Sequence, residues 1–233
     1  MYDKAAGYYY LYETYGGLTA NGGYNMRLFR SKDIYGPYVD AAGNQASDSG
    51  KGDNSKYGIK LIGNYQFHGQ QGYKSAGHNS ALIDGDGSRY LIFHQRFNLG
   101  SEYHEVRVRQ QFLNEEGWPC VAVYENRNEP IANYRKKEVA GTYEYINHGK
   151  ESSTGMLETG ELTLEKNGKV SGAFEGAWEK KDSGNGYDYV TITMDSGLVY
   201  HGIFFRQTND RGEQVMTFTA IGANNVCIWG SKE

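Results

Sequence analysis

Residues 84–97 read DGDGSRYLIFHQRF, a glycine-containing turn followed by a strongly apolar segment. The apolar segment is rich in aromatic and β-branched residues, which favour strands. After a loop, residues 105–113 alternate polar and apolar side chains, as a half-buried strand does. A turn containing Gly117 and Pro119 then leads to a further short apolar segment. This part of the chain predicts a meander of antiparallel strands.

The same order of features occurs earlier in the chain. Residues 3–39 contain a glycine turn, a tyrosine-rich strand, a loop, an alternating strand with internal arginines and a Gly-Pro turn, and residues 84–121 repeat this order. A recurring four-stranded unit is the signature of a β-propeller blade, which cannot bury both of its faces alone. Two blades cannot close a ring. We therefore expect part of the fold to lie outside this chain, which begins within a motif and shows no signal peptide.

The composition supports a β-rich fold and excludes several classes of function. The chain has 32 glycines, 21 tyrosines and only 3 prolines, which favours many short strands joined by turns. A net charge of −4 and a pI near 5.9 argue against a nucleic-acid partner. No apolar segment approaches the length of a membrane-spanning helix, so no membrane partner is expected. Cys120 and Cys227 form no CxxC motif, which argues against a cysteine-based zinc or redox site.

The composition changes near residue 126, where residues 126–130 form a linker-like turn. Seven short strands follow at regular spacing between residues 141 and 230, and Asn167-Gly168 is a strong hairpin signal between two of them. Regular short strands with close turns predict a small antiparallel barrel or sandwich. The expected fold is all-β, with the last part of a propeller at residues 1–127 and a barrel-like accessory domain at residues 128–233.

Residues 72–81, which read GYKSAGHNSA, are the candidate functional site. His78 lies between a glycine and an asparagine, and the residues around it are small. Small residues allow the backbone to approach a ligand or an axis closely. The alternative interpretation of His78 is a buried structural histidine whose ring is hydrogen-bonded to backbone.

Several motifs resemble those of glycoside hydrolase family 43, and more narrowly those of its α-1,5-L-arabinanases. They lie at residues 8–17, 22–32, 36–40, 77–81, 91–97, 104–109 and 117–119. This resemblance covers residues 2 to about 125, and residues 140–232 resemble the barrel-like C-terminal module of some of these enzymes. It implies a five-bladed propeller that hydrolyses with inversion. It also implies that the catalytic carboxylates lie in earlier blades, so no catalytic residue is assigned in this chain.

The resemblance also implies a metal on the propeller axis, usually calcium, which His78 would contact among water molecules. Calcium prefers oxygen ligands, so one imidazole would form a weak site by protein ligation alone. Its expected role is electrostatic, since a cation stabilises developing charge and perturbs nearby carboxyl pKa values. Sugar contacts are expected near strand ends and loops that face the axis, namely from Tyr15, Asn25, Asn79 and Arg96. The carboxylates of Glu13, Glu102 and Glu105 are interpreted as solvated charges.

Three functions are compatible with these features. The first is one part of a family 43 arabinanase, endo- or exo-acting and extracellular or periplasmic, that binds arabinan or arabino-oligosaccharides and is completed by an N-terminal propeller segment. The second is a non-catalytic carbohydrate-binding module that grips polysaccharide through Trp178, Trp229 or tyrosines. The third is a structural role, in which the C-terminal domain packs against the propeller and holds it closed. The first and third are compatible with each other, and we adopt both.

Overall fold

The computed structural model describes residues 1–50 and 52–232, and these residues form three β-sheets. The first sheet contains β1 (Tyr2–Asp3), β2 (Tyr8–Tyr15), β3 (Asn25–Ser31) and β4 (Ile59–Lys60). The second contains β5 (Tyr73–Ile83), β6 (Arg89–Phe97), β7 (His104–Leu113) and β8 (Pro119–Val121). The third contains β9 (Gly141–Asn147), β10 (Gly160–Leu164), β11 (Lys169–Gly172), β12 (Gly176–Asp182), β13 (Asp188–Met194), β14 (Val199–Thr208), β15 (Gln214–Gly222) and β16 (Cys227–Lys232).

Helical structure is limited to short segments. The described residues contain one four-residue helix, α1 (Lys136–Val139), and two 3-10 turns at Ala46–Asp48 and Asn54–Lys56. None of these is long and apolar enough to cross a membrane. The predicted all-β class is therefore confirmed.

The first two sheets are antiparallel meanders whose strands follow one another in chain order. This is the arrangement that the repeated sequence unit predicts for propeller blades. In the second sheet, paired residues such as Leu91 and Arg109 lie on one face, and Ile92 and Val108 lie on the other. β5 contacts both β2 and β3, so the two sheets pack side by side. The closed ring of five blades remains a prediction.

One turn recurs at the hairpins of both kinds of sheet. A glycine at its fourth position has a positive φ, and the glycine N–H donates to the carbonyl of the first residue. Glycine adopts this left-handed conformation without the steric cost that other residues pay. The turns lie at residues 84–87, 114–117, 165–168, 194–197 and 209–212. At the predicted Asn167-Gly168 hairpin the loop between paired backbone groups has three residues rather than two.

The C-terminal sheet closes into an eight-stranded barrel, because β9 pairs with both β10 and β16. Closure leaves no free edge and excludes the sandwich that the sequence also allowed. An interior cluster of buried residues fills the barrel and includes Tyr143, Val190 and Phe218. The boundary between the two predicted domains, at residues 127 and 128, remains a prediction.

The barrel packs against the two smaller sheets through its outer surface. A single hydrophobic cluster combines Leu61, Phe93 and Val123 with the barrel residues Ile203 and Trp229. The sheets and the barrel therefore share one continuous core. This arrangement fits the structural role proposed for the C-terminal domain.

Gln207 in β14 holds the backbone that leaves the second sheet. Its side-chain oxygen accepts from the Tyr124 N–H at 3.2 Å, and its Nε2 donates to the Tyr124 carbonyl at 3.1 Å. Both residues are buried. We expect Gln207→Leu to lower the free energy of unfolding by about 1–3 kcal/mol, because it leaves both backbone groups without partners. Denaturant unfolding checks this value, with Gln214→Leu on the exposed surface of β15 as the control. If Gln207→Leu lowers the free energy of unfolding no more than the control does, Gln207 does not hold the backbone at Tyr124.

Candidate functional site

The candidate site lies on an irregular part of β5. The pairing of β5 with β6 shifts register between Lys74 and Gly77 and again between Gly77 and Ser80. Ser75 and His78 have φ values of 54° and 51°, a left-handed conformation that is uncommon for residues other than glycine. We call residues 74–80 the bulge. The bulge interrupts the regular alternation of side chains along β5 at the exposed His78.

Gly77 allows this bulge to pack closely against the first sheet. A Cβ atom added at Gly77 would lie 2.3 Å from Cε1 of Tyr24 and 2.9 Å from the Thr14 methyl carbon. No real Cβ atom is found that close to another heavy atom. The absence of a side chain at Gly77 therefore allows the bulge to pack against the first sheet, and the close approach to a ligand or an axis expected from the sequence remains a prediction.

His78 and Asn79 line an open cavity of about 590 Å³ together with His94 and His104. The ring centroids of His78 and His94 are 6.1 Å apart, and those of His94 and His104 are 5.2 Å apart. The cavity opens on the face of the second sheet that bears Val106. Three imidazoles and one amide can accept and donate hydrogen bonds to the hydroxyl groups of a neutral ligand.

Arg96 lies beside His94 and gives this site a charged side. The Arg96 Nε lies 2.9 Å from a carboxylate oxygen of Glu102, and its NH1 lies 3.2 Å from Nε2 of His94. Burial lowers the pKa of His94, and the positive charge of Arg96 lowers it further. The ring of Tyr24 stacks on His94 at 5.6 Å with an interplanar angle of 24°. His94 is therefore held as a neutral, oriented imidazole beside a buried cation.

Tyr15 and Asn25 do not line this cavity. They pair with each other at the end of the first sheet, and both are largely buried. The Asn25 amide donates to the Gly23 carbonyl at 2.8 Å and to Ser152 Oγ at 3.0 Å, and its oxygen accepts from Arg27 at 2.7 Å. These bonds give Asn25 a structural role in the chain. Its predicted contact with sugar, like that of Tyr15, remains a prediction.

None of the three carboxylates considered in the sequence lines this cavity. Glu102 binds Arg96 and accepts from the Ala20 N–H at 3.0 Å, and Glu105 pairs with Arg107 at 2.9 Å. Burial raises the pKa of Glu13, which lines a different cavity with residues 35–38 and 45–47. Within the described part of the chain, no carboxylate lines the cavity that contains His78.

The metal-binding capacity of the site is small. Across residues 1–50 and 52–232, no group of three or more His, Cys, Asp or Glu side chains is arranged to hold a metal ion. His78 is exposed and offers a single imidazole. A calcium ion at this point would take one protein ligand from His78 and complete its shell with water, and such an ion remains a prediction.

Both tryptophans that were considered as polysaccharide contacts are buried. Trp178 is 4% exposed and Trp229 is fully buried. Neither therefore presents a ring face to a polysaccharide chain. This observation disfavours binding through these two residues.

Sequence reasoning missed His94, His104 and Tyr24 as members of the site. A signal was present, because His94 and Arg96 lie two residues apart and so share one face of β6. The register of the second sheet pairs Arg96 with His104, which brings the third imidazole onto that face. No local sequence pattern indicated Tyr24, because its contact with His94 joins two parts of the chain that are distant in sequence.

Comparison with known proteins places this geometry in a family. A family model described as the GH43 C-terminal lipocalin-like domain matches residues 123–230. The chain is 44% identical over 246 residues to extracellular endo-α-(1→5)-L-arabinanase 2 of Bacillus subtilis, a match that covers 100% of this chain and 51% of that protein.

Two solved structures superpose on the whole of this chain. They are the family 43 glycoside hydrolase YxiA of Bacillus licheniformis, with a TM-score of 0.92 and 40% identity, and the endo-1,5-α-L-arabinanase of Thermotoga petrophila RKU-1, with a TM-score of 0.93 and 34% identity. Each match covers 54% of the solved chain. The chain thus spans about half the length of the relatives that it matches. The predicted resemblance to glycoside hydrolase family 43 is confirmed.

Proposed function

We propose that this chain is part of an extracellular glycoside hydrolase that cleaves α-1,5-L-arabinofuranosidic bonds in arabinan with inversion of configuration. The relatives described above are named as extracellular endo-arabinanases or family 43 hydrolases, and they match the chain along its whole length. The observation that carries the finer proposal is the cavity at His78, which brings three imidazoles and an amide together without a carboxylate among the described residues.

Inverting hydrolysis requires two carboxyl groups. One protonates the leaving oxygen, and the other removes a proton from water, at a separation of about 6.5–9.5 Å that leaves room for the water. Because Glu102 and Glu105 are held in ion pairs and Glu13 lines another cavity, these three are poor candidates for the pair. We propose that both carboxylates come from an N-terminal propeller segment outside residues 1–233.

The residues of this chain would bind and orient the substrate. Asn79 and the imidazoles of His78 and His104 can form hydrogen bonds to furanose hydroxyl groups, and Arg96 fixes His94 behind them. A calcium ion held by His78 would supply positive charge that stabilises negative charge developing on oxygen. The roles of Tyr15 and Asn25 at the end of the first sheet would be to shape the neighbouring surface.

One face of the second sheet is suited to receive the proposed partner segment. Leu82 and Val106 lie on the same face and are 47% and 67% exposed. Large exposed apolar patches mark interaction surfaces, and we propose that these two residues contribute to one. The cavity at His78 opens on this face, so a segment packed there would complete the cavity with its own side chains.

Hydrolysis assays of the chain with and without the proposed segment test this function. We expect no release of reducing sugar from linear arabinan by residues 1–233 alone, and activity when the segment is joined to it. Proton NMR of the first anomer released would show inversion. Glu13→Gln in the joined enzyme is the control, since it should not cause the loss of about 10²–10⁴ in rate that removal of a general acid or base produces. Arabinan hydrolysis by the chain alone would refute the assigned origin of the carboxylates.

A further inference from the structure

The loop between β9 and β10 of the barrel lies against the segment that precedes β5. We call residues 148–157 the barrel loop. The Leu157 N–H donates to the Asn64 carbonyl at 2.8 Å, and the Gly63 N–H donates to Nδ1 of the buried His148 at 3.0 Å. Tyr65 forms a parallel bridge with Leu157 and an antiparallel bridge with Tyr73, the first residue of β5. A short backbone ladder therefore runs from the barrel to the strand that carries His78.

The side chain of Asn64 extends this connection to the bulge. Asn64 is 4% exposed. Its Nδ2 lies 3.3 Å from the carbonyl oxygens of Ser153 and Gly155 in the barrel loop, and its Oδ1 accepts from the Ser75 N–H at 2.8 Å. The amide thus uses both of its ends, one toward the barrel and one toward β5.

Ser75 is one of the two residues of the bulge in a left-handed conformation. It is completely buried, and its hydroxyl donates to the carbonyls of Thr19 and Ala20 at 3.2 Å. Backbone conformations of this kind persist only where the surrounding structure determines them fully. The bonds from Asn64, Thr19 and Ala20 are the contacts that do so here. His78, three residues further, is the second such residue and is exposed.

We propose that Asn64 is a positioning residue through which the barrel loop fixes the bulge and, with it, the direction of the His78 imidazole. The barrel would then set the geometry of the site as well as closing the core. The importance of this link for catalysis rests on the proposed function. The link itself is a property of residues 1–233 and can be measured on the chain alone.

The variant Asn64→Asp removes the donor function of the Asn64 side chain and keeps its acceptor function. An aspartate keeps an acceptor for the Ser75 N–H but cannot donate to the two carbonyls of the barrel loop. We expect the NMR signals of the His78 imidazole to shift, and amide hydrogen exchange in residues 74–80 to become about tenfold faster or more, as one lost hydrogen bond allows. The His78 signals give a readout that loss of overall stability would not move.

The matched control is Asn114→Asp. Asn114 is equally buried, accepts from the Glu116 and Trp118 N–H groups, and donates to the His201 carbonyl of the barrel at 2.9 Å. It therefore loses the same kind of bond to the barrel at a place with no bond to the bulge. We expect it to destabilise the chain without changing the His78 signals or the exchange of residues 74–80.

A second variant acts on the barrel loop without altering Asn64. Leu157→Gly loosens the ladder at Tyr65 and should shift the His78 signals in the same direction as Asn64→Asp. It also decides the question if Asn64→Asp does not fold. Unchanged His78 signals and bulge exchange in the folded variants, or equal changes in Asn114→Asp, would overturn the proposal. Arabinan hydrolysis by the chain alone would refute the proposed function and leave these measurements intact.

Discussion

Replacing Trp229 with alanine is expected to lower the free energy of unfolding by about 3–5 kcal/mol, the cost of removing a large aromatic side chain from a packed core. Trp229 is fully buried in the cluster that the two sheets and the barrel share. Its ring packs edge-on against His148 at 4.3 Å and Tyr65 at 5.2 Å, and the Arg109 guanidinium lies 5.0 Å from it. The alanine variant loses all three contacts at the seam between barrel and sheets.

Trp178→Ala is the control for location. Trp178 is also buried, but it packs in the interior cluster of the barrel and contacts Phe204. Both variants should be destabilised in denaturant unfolding. Only Trp229→Ala should speed hydrogen exchange in the segment 61–67, which lies at the seam. A loss below about 1 kcal/mol, the typical cost of an average substitution, would show that Trp229 does not hold the seam together.

Much of the fold follows from local sequence signals. In four of its five occurrences the turn with glycine at its fourth position begins with a polar residue, and it marks hairpins in both kinds of sheet. Alternating segments between such turns predict antiparallel strands, and these strands pair with their neighbours along the chain. The all-β class and the two meanders were predictable for this reason. Closure into a barrel, rather than a sandwich, depends on β9 pairing with β16 across the whole domain and had no local signal.

The candidate site was predictable in part. His78 and Asn79, which the Gly-His-Asn pattern singled out, both line one cavity, and their roles toward a metal and a sugar remain predictions. The bonds that fix Ser75 could not be predicted, because Asn64, Ser153 and Gly155 are separated in sequence by up to 91 positions. The sugar contact of Asn25 remains a prediction, and the hydrogen bond from its amide to Ser152 of the barrel loop had no local signal in the sequence.

The barrel loop also explains why two cations are buried in the first sheet. Arg27 donates to the Lys150 carbonyl, and the Lys60 Nζ donates to the Glu151 carbonyl at 2.7 Å. Both acceptors are neutral backbone groups, and the Arg27 charge also acts on Lys60. Buried charges are costly unless they are paired. The seam beneath the barrel loop is therefore a place where stability depends on protonation.

Lys60→Met is expected to change the pH dependence of stability. Burial, together with the nearby charge of Arg27, lowers the pKa of Lys60 from 10.5 to about 8. Between these two values the unfolded chain holds a proton that the folded protein has released, so the stability of the unaltered chain rises with pH. The shift corresponds to about 3 kcal/mol of stability that is missing near neutral pH. Methionine cannot be protonated, and its variant lacks this dependence.

The stability difference between the two proteins should therefore move in favour of the unaltered chain as pH rises, by about 2 kcal/mol between about pH 7 and about pH 9.5. Denaturant unfolding at several pH values measures this difference. Other groups that titrate at high pH are present in both proteins, so their effects cancel in the comparison. Lys56→Met is the control, because Lys56 is exposed on the same segment and should show no such change. A difference that stays constant with pH would mean that Lys60 keeps its proton throughout, and that the carbonyl of Glu151 compensates for its burial.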